Sequence, residues 1–131
     1  MIPSVPSADV ATVADALFAA IEAGDIASVR ALYSPDVVIW HNTDGMEEDV
    51  ERNLAVLSWC TTHIIGMRYE DVRRSVTRDG FVQQHVLRGT APNGAALEVP
   101  ACLVVRVDRG VITRIDEYMD SAQIQVLMAS G

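Results

Sequence analysis

The sequence predicts an α+β fold, a cone-shaped α+β barrel in which a curved, mixed but mostly antiparallel sheet wraps around N-terminal helices. Three observations predict it. From Val10 to Tyr33 the apolar residues recur at the three-and-four spacing of helices. From Met67 to Met119 the pattern changes to long runs of strand type. Between those runs stand only short turn sequences, Arg78-Asp79-Gly80, Pro92-Asn93-Gly94 and Asp108-Arg109-Gly110. Connections that short cannot cross over a sheet, so the four runs pair as an antiparallel meander. Helices placed before such a sheet pack on one of its faces. A twisted sheet bent around a helix encloses an apolar interior suited to a small molecule.

In chain order, residues 1–7 contain Pro3 and Pro6 and are expected to form a flexible arm before a single domain that fills 1–131. Val10, Val13, Ala14, Leu17, Phe18 and Ile21 give the first helix one apolar face, with Ser7 or Asp9 at its start and Gly24 at its end. Asp25 can cap a second helix with Ile26, Val29, Leu32 and Tyr33 inward, and Pro35 should stop it. Val37–Asn42 reads as the first strand. Asp44, three residues before Glu47, resembles a capping box for a third helix that carries Val50, Leu54, Leu57 and Thr61 on one face and ends near His63. Four strands follow: 67–77, 81–90, 97–107 and 111–119. In the tail, Ile124, Leu127 and Met128 share one helical face.

Composition narrows the function. A net charge of −8 argues against nucleic-acid and anionic-membrane partners, which need a basic surface. No apolar run approaches the roughly 20 residues of a membrane span, and the first ten residues do not read as a secretory signal. Cys60 and Cys102 are too few and too isolated for a disulfide framework or a zinc site, which makes the cytoplasm the expected location. All ten basic residues are arginine, so a lysine Schiff base is impossible here. Glycine-rich phosphate loops and the GxSxG elbow are absent. No cofactor is expected.

The stretch Asp36–Gly45, DVVIWHNTDG, joins an apolar run to a polar cluster and makes His41 the leading candidate for a site. With a strand period of two, Ile39 and His41 share a face, as do Gln83, His85 and Leu87. Val99, Ala101 and Leu103 share another, and Ile115, Glu117 and Met119 a fourth. If these sets face the cone, His41, Gln83, His85 and Glu117 are its strongly polar groups. A carboxylate beside an imidazole orients its tautomer and raises its basicity. His41 is then general base or donor, Glu117 its partner or the base, and His85 with Gln83 the donors to an oxygen. Trp40 is either core or a platform for stacking a ligand. A metal held by His41, His85 and Glu117 lacks any HxH or HExxH spacing and is not expected.

AAIEAGDIASVRALYSPDVVI (19–39) and GVITRIDEYMD (110–120), in this order of elements, resemble the nuclear transport factor 2-like superfamily, within it the SnoaL-like group, beside ketosteroid isomerases and limonene epoxide hydrolases. The resemblance covers about residues 9–128. It implies that His41 stands where isomerases place their carboxylate base. The isomerase's oxyanion tyrosine falls at Leu17 and its protonated aspartate near Cys102 or Leu103, so both donors are lost. Against epoxide hydrolases, IDEYMD places Glu117 at the water-activating carboxylate and His41 at an asparagine that helps hold the water. Their arginine and acid fall at Gln83 and His85. Substrate-lining equivalents are Leu57, Val99, Ala101 and Met119, all apolar or small.

Two functional classes follow. One is a cofactor-independent acid–base enzyme acting on a small apolar, oxygenated molecule by hydrolysis, isomerisation, cyclisation or dehydration. The other is a non-catalytic ligand-binding or dimerisation domain, and pure dimerisation predicts a cone filled by side chains. Val72, Val104 and Tyr118 on the outer sheet face are expected to form a homodimer.

Overall fold

The computed structural model describes residues 7–128, in the order α1 (Ser7–Ala23), α2 (Ile26–Leu32), β1 (Tyr33–His41), β2 (Glu47–Glu48), α3 (Val50–His63), β3 (Ile65–Val76), β4 (Gly80–Thr90), β5 (Ala96–Asp108), β6 (Val111–Met119) and α4 (Ser121–Met128). The expected arm falls on residues 1–6, outside the described ones, and on Ser7, which begins α1.

The six strands form one sheet in the order β2-β1-β6-β5-β4-β3. The meander from β3 to β6 is antiparallel throughout, and β1 joins it parallel to β6, which makes the sheet mixed. The sheet does not close on itself, and β2 and β3 are its edges. The apolar face of α1 is buried against the sheet as the spacing predicts: Leu17 is 1% exposed and packs in one cluster with Phe81, Val105 and Ile112. Burying side chains of that size stabilises by about 1.5–3 kcal/mol each. Among the described residues no helix is long and apolar enough to cross a membrane.

Three local expectations are corrected. The second helix ends at Leu32, and Tyr33 is already extended, with φ −90° and ψ 142°. Pro35 disfavours helical backbone in the residue before it, so Tyr33, Ser34 and Pro35 enter β1. The proline has no N–H for the ladder, and the β1–β6 register shifts between Tyr33 and Val38. Asp44 does not cap α3. Its Oδ1 accepts from Met46 N in the turn, while Asp49 is the cap, accepting from Arg52 N at 2.9 Å. Glu47 and Glu48 lie between them as a short strand paired with Trp40 and Ile39.

The edge strand β3 carries two register shifts, between Ile65 and Arg68 and between Glu70 and Arg73. Each adds one residue to β3 and coincides with left-handed backbone, at Gly66 (φ 65°) and Asp71 (φ 54°). These bulges bend the strand and change which of its side chains face inward.

Candidate active site

Between α1, α3 and the concave sheet face lies a cavity of about 420 Å3. Its apolar wall includes Leu17, Leu57, Val99, Ala101, Leu103 and Met119, the six expected lining residues other than Trp40. Leu17 brings a side chain without a hydrogen-bond donor to this wall, and Leu103 rather than Cys102 faces the cavity. Ile124 and Leu127 of α4 complete the wall, with Asp120 holding the start of that helix through Ala122 N.

His41 and Glu117 meet because their strands are neighbours. They are direct partners in the parallel β1–β6 pairing, so their side chains leave the sheet on the same face. His41 Nε2 lies 3.0 Å from Glu117 Oε1. The other ring nitrogen, Nδ1, faces Glu48 Oε1 at 3.8 Å, an ion-pair separation too long for a hydrogen bond. Burial works against charge on the ring, but the hydrogen bond to Glu117 and the charges of Glu117, Glu48 and Asp44 outweigh it and raise the His41 pKa above its ordinary 6.5. Two nitrogens that both face carboxylates favour the imidazolium, a donor at both ends. Glu117 thus lines the cavity with one carboxylate oxygen held by His41 and the other without a hydrogen bond among the described residues.

Behind this pair runs a buried polar chain that sequence reading missed. Asn53 Nδ2 donates to Glu48 Oε1 at 3.1 Å, and Tyr33 Oη donates to Asn53 Oδ1 at 2.8 Å. Glu48 is 6% exposed, Asn53 3% and Tyr33 7%. Glu48 reads as a residue for a helix start until β2 is known to exist. Asn53 had a signal, because it stands at the spacing of the apolar face Val50, Leu54 and Leu57. Tyr69, which lines the cavity from β3, stands among charged residues in the sequence (Arg68, Glu70, Asp71) that give its strand no apolar face to mark it. Burial holds its hydroxyl well above the ordinary phenol range, so it stays protonated. Burial likewise pushes the Cys60 thiol up to about 11, which removes it as a nucleophile near neutrality.

His85 lines the same cavity from β4 and is buried. Two expected site residues do not reach it. Gln83 is fully buried beneath His85 and hydrogen-bonds that ring at 2.9 Å instead of lining the cavity. Trp40 stands on the opposite sheet face, because Ile39 and His41 take the inward positions. Its ring packs edge-on against Tyr118 with centroids 5.2 Å apart. Among the described residues no group of three or more His, Cys, Asp or Glu is arranged to hold a metal ion.

Solved structures with this fold include IdmH of Streptomyces antibioticus, provisionally assigned as a polyketide cyclase. It is 23% identical, with a TM-score of 0.78 over 92% of this chain and 98% of that one. A Pseudomonas putida protein with the same provisional assignment is 23% identical, with a TM-score of 0.76 over 88% of this chain and 94% of that one. PrhC of Penicillium brasilianum reaches a TM-score of 0.83 at 12% identity, over 95% of this chain and 88% of that one. Likeness at these identities shows the fold alone. A sequence comparison with curated proteins returns no match. The profile of the SnoaL-like domain matches residues 14–115, from the middle of α1 to β6 and across most of the cavity wall, and the chain belongs to the SnoaL-like family.

Proposed function

We propose that this protein is a cofactor-independent acid–base enzyme acting on a small, apolar, oxygenated molecule. The observation that carries the reading is the 3.0 Å contact between Glu117 and an imidazole whose other nitrogen faces a second, buried carboxylate, all at one side of an apolar cavity. In that arrangement Glu117 takes a proton from a carbon beside a carbonyl, or from water. His41 holds the carboxylate in place and carries the compensating charge. His85 on β4, two strands from β6 in the same sheet, donates to the oxygen on which negative charge collects. A dimerisation-only domain predicts a filled cone, and an apolar cavity of this volume speaks against it. Relatives provisionally assigned as polyketide cyclases support carbonyl-rich substrates and ring closure, with isomerisation and epoxide opening drawing on the same groups. Two copies pair through the exposed outer face that carries Val72, Val104 and Tyr118, and the enzyme works in the cytoplasm with both cysteines reduced.

A panel of cyclic enones, epoxides and poly-β-ketone analogues tests the reading. Turnover of one class by the wild type, lost in both Glu117→Gln and His41→Ala, is the expected result. Ligands that bind in the cavity but are never converted would instead make this a binding protein.

A further inference from the structure

His85 Nε2 is, among the described residues, the one buried side-chain nitrogen or oxygen without a hydrogen-bond partner. The rest of the ring is tied down. Its Nδ1 lies 2.9 Å from Gln83 Nε2, and Gln83 Oε1 accepts from Arg74 Nε at 2.8 Å. Arg74 is held in turn by Asp15 of α1, whose Oδ1 accepts from Nη1 at 2.7 Å. Its guanidinium also lies 6.0 and 5.8 Å from the ring centroids of Phe18 and Phe81.

This row has only one direction. A guanidinium donates and never accepts, so the Gln83 atom facing it is the oxygen and the atom facing His85 is the amide nitrogen. An amide NH2 also only donates, so His85 Nδ1 presents a lone pair and the ring proton sits on Nε2. A protonated His85 would set N–H against N–H at Nδ1, so the same contact keeps the ring neutral. Burial acts in the same sense and outweighs the charge of Glu117 on β6. The other titratable group packed on the ring is Tyr69 of β3, with centroids 4.6 Å apart.

The bulge at Asp71 makes the row possible. Tyr69 pairs with Leu87 and Arg74 with Gln83, five positions along β3 (69 to 74) against four along β4 (87 to 83). Strict alternation from Tyr69 would turn Arg73 inward; the extra residue gives that place to Arg74.

We propose that Asp15, Arg74 and Gln83 are positioning residues that lock His85 as a neutral, one-way hydrogen-bond donor, and that the molecule bound in the cavity presents to its Nε2–H an uncharged oxygen acceptor of the ketone or ester kind. The proposal deepens the acid–base reading and rests on it for the reaction, though not for binding. Imidazolium at this position would welcome carboxylates and phosphates; a neutral donor facing Glu117 selects against them. An acceptor arriving at Nε2 displaces no hydrogen bond to a protein group among the described residues.

Full-length protein with 15N-labelled histidine rings, read by two-bond proton–nitrogen correlation, reports which nitrogen carries the proton. The wild type should show neutral His85 with its proton on Nε2, unchanged between about pH 5 and 8. Gln83→Leu and Arg74→Met should each give mixed tautomers or a titrating ring. For binding, 2-acetylnaphthalene is compared with 2-isopropenylnaphthalene, in which a methylene replaces the oxygen on the same trigonal carbon and removes the acceptor. The ketone should bind about 3- to 10-fold tighter, as one neutral hydrogen bond allows, and move the Nε2–H signal. His85→Phe should abolish the preference. A proton on Nδ1, an imidazolium near neutrality, or equal affinity for the two probes overturns the proposal. None of these readings needs turnover, so they can fail while Glu117→Gln still abolishes the reaction, and the reverse holds.

Discussion

Replacing Glu117 by glutamine separates the chemistry of the site from its architecture. The substitution keeps the size of the side chain, and its carbonyl oxygen can still accept from His41 Nε2 at the present 3.0 Å. What disappears is the negative charge and the oxygen able to take a proton. Positioned acid–base groups contribute about 10²–10⁴-fold to rate. At about 1.36 kcal/mol per factor of ten, that is roughly 3–5 kcal/mol added to the barrier. Stability should move far less. A charge-assisted hydrogen bond becomes a neutral one, a loss of about 1 kcal/mol, while the cost of desolvating the carboxylate also vanishes. The melting temperature should therefore stay within about 5 °C of wild type. The assay is kcat for whichever substrate class the wild type turns over, beside thermal unfolding and the affinity of an unreactive ketone. A Glu117→Gln enzyme that keeps more than a third of the wild-type rate with the same pH profile would refute the assignment of Glu117 as base.

Stability against pH should peak near the ordinary histidine pKa of about 6.5. His41 is raised in the folded state, so its contribution is full below about 6.5 and is lost as pH rises through the folded value; His85 is lowered, so its burial costs stability as pH falls below about 6.5. Urea melts across pH 5–9 should show both limbs, with His41→Ala flattening the alkaline one and His85→Phe the acid one; limbs unchanged in the variants would contradict these assignments. Asn53→Leu strips Tyr33 Oη and Glu48 Oε1 of their buried partner and should destabilise by about 2–4 kcal/mol in the same melts, and a loss under 1 kcal/mol would mean the chain is not holding those groups. Val104→Arg puts a charge in the middle of the outer sheet face, where Val104 is 40% exposed, and light scattering should show monomers where the wild type gives dimers; a monomeric wild type removes that interface.

What the sequence disclosed was whatever depends on period and order. The helical spacing of α1, the turns between the long strands and the alternation within them are local properties, and they place Leu17, Val99, Ala101, Leu103 and Met119 on the cavity wall. The pairing of His41 with Glu117 was legible only in part: alternation puts each on the face shared with apolar neighbours near the end of its strand, while the parallel seating of β1 beside β6 is seen in the structure. Residues whose role depends on where the period breaks stayed hidden. Glu48 becomes a partner of His41 only because two residues before α3 extend and pair with β1. Arg74 comes inward only because Asp71 adopts left-handed backbone and adds a residue to β3. Asp71 carries no glycine to announce the bulge, whereas Gly66 does mark the one before it. An aspartate tolerates that conformation better than most residues, yet in a run such as Tyr69-Glu70-Asp71-Val72-Arg73-Arg74 it reads as surface charge. The consequence reaches the cavity: Arg74 fixes the face of the Gln83 amide, and that amide fixes which nitrogen of His85 can donate. One irregular residue on an edge strand thus sets the direction of a hydrogen bond inside the cone, and no pattern of hydrophobicity records it.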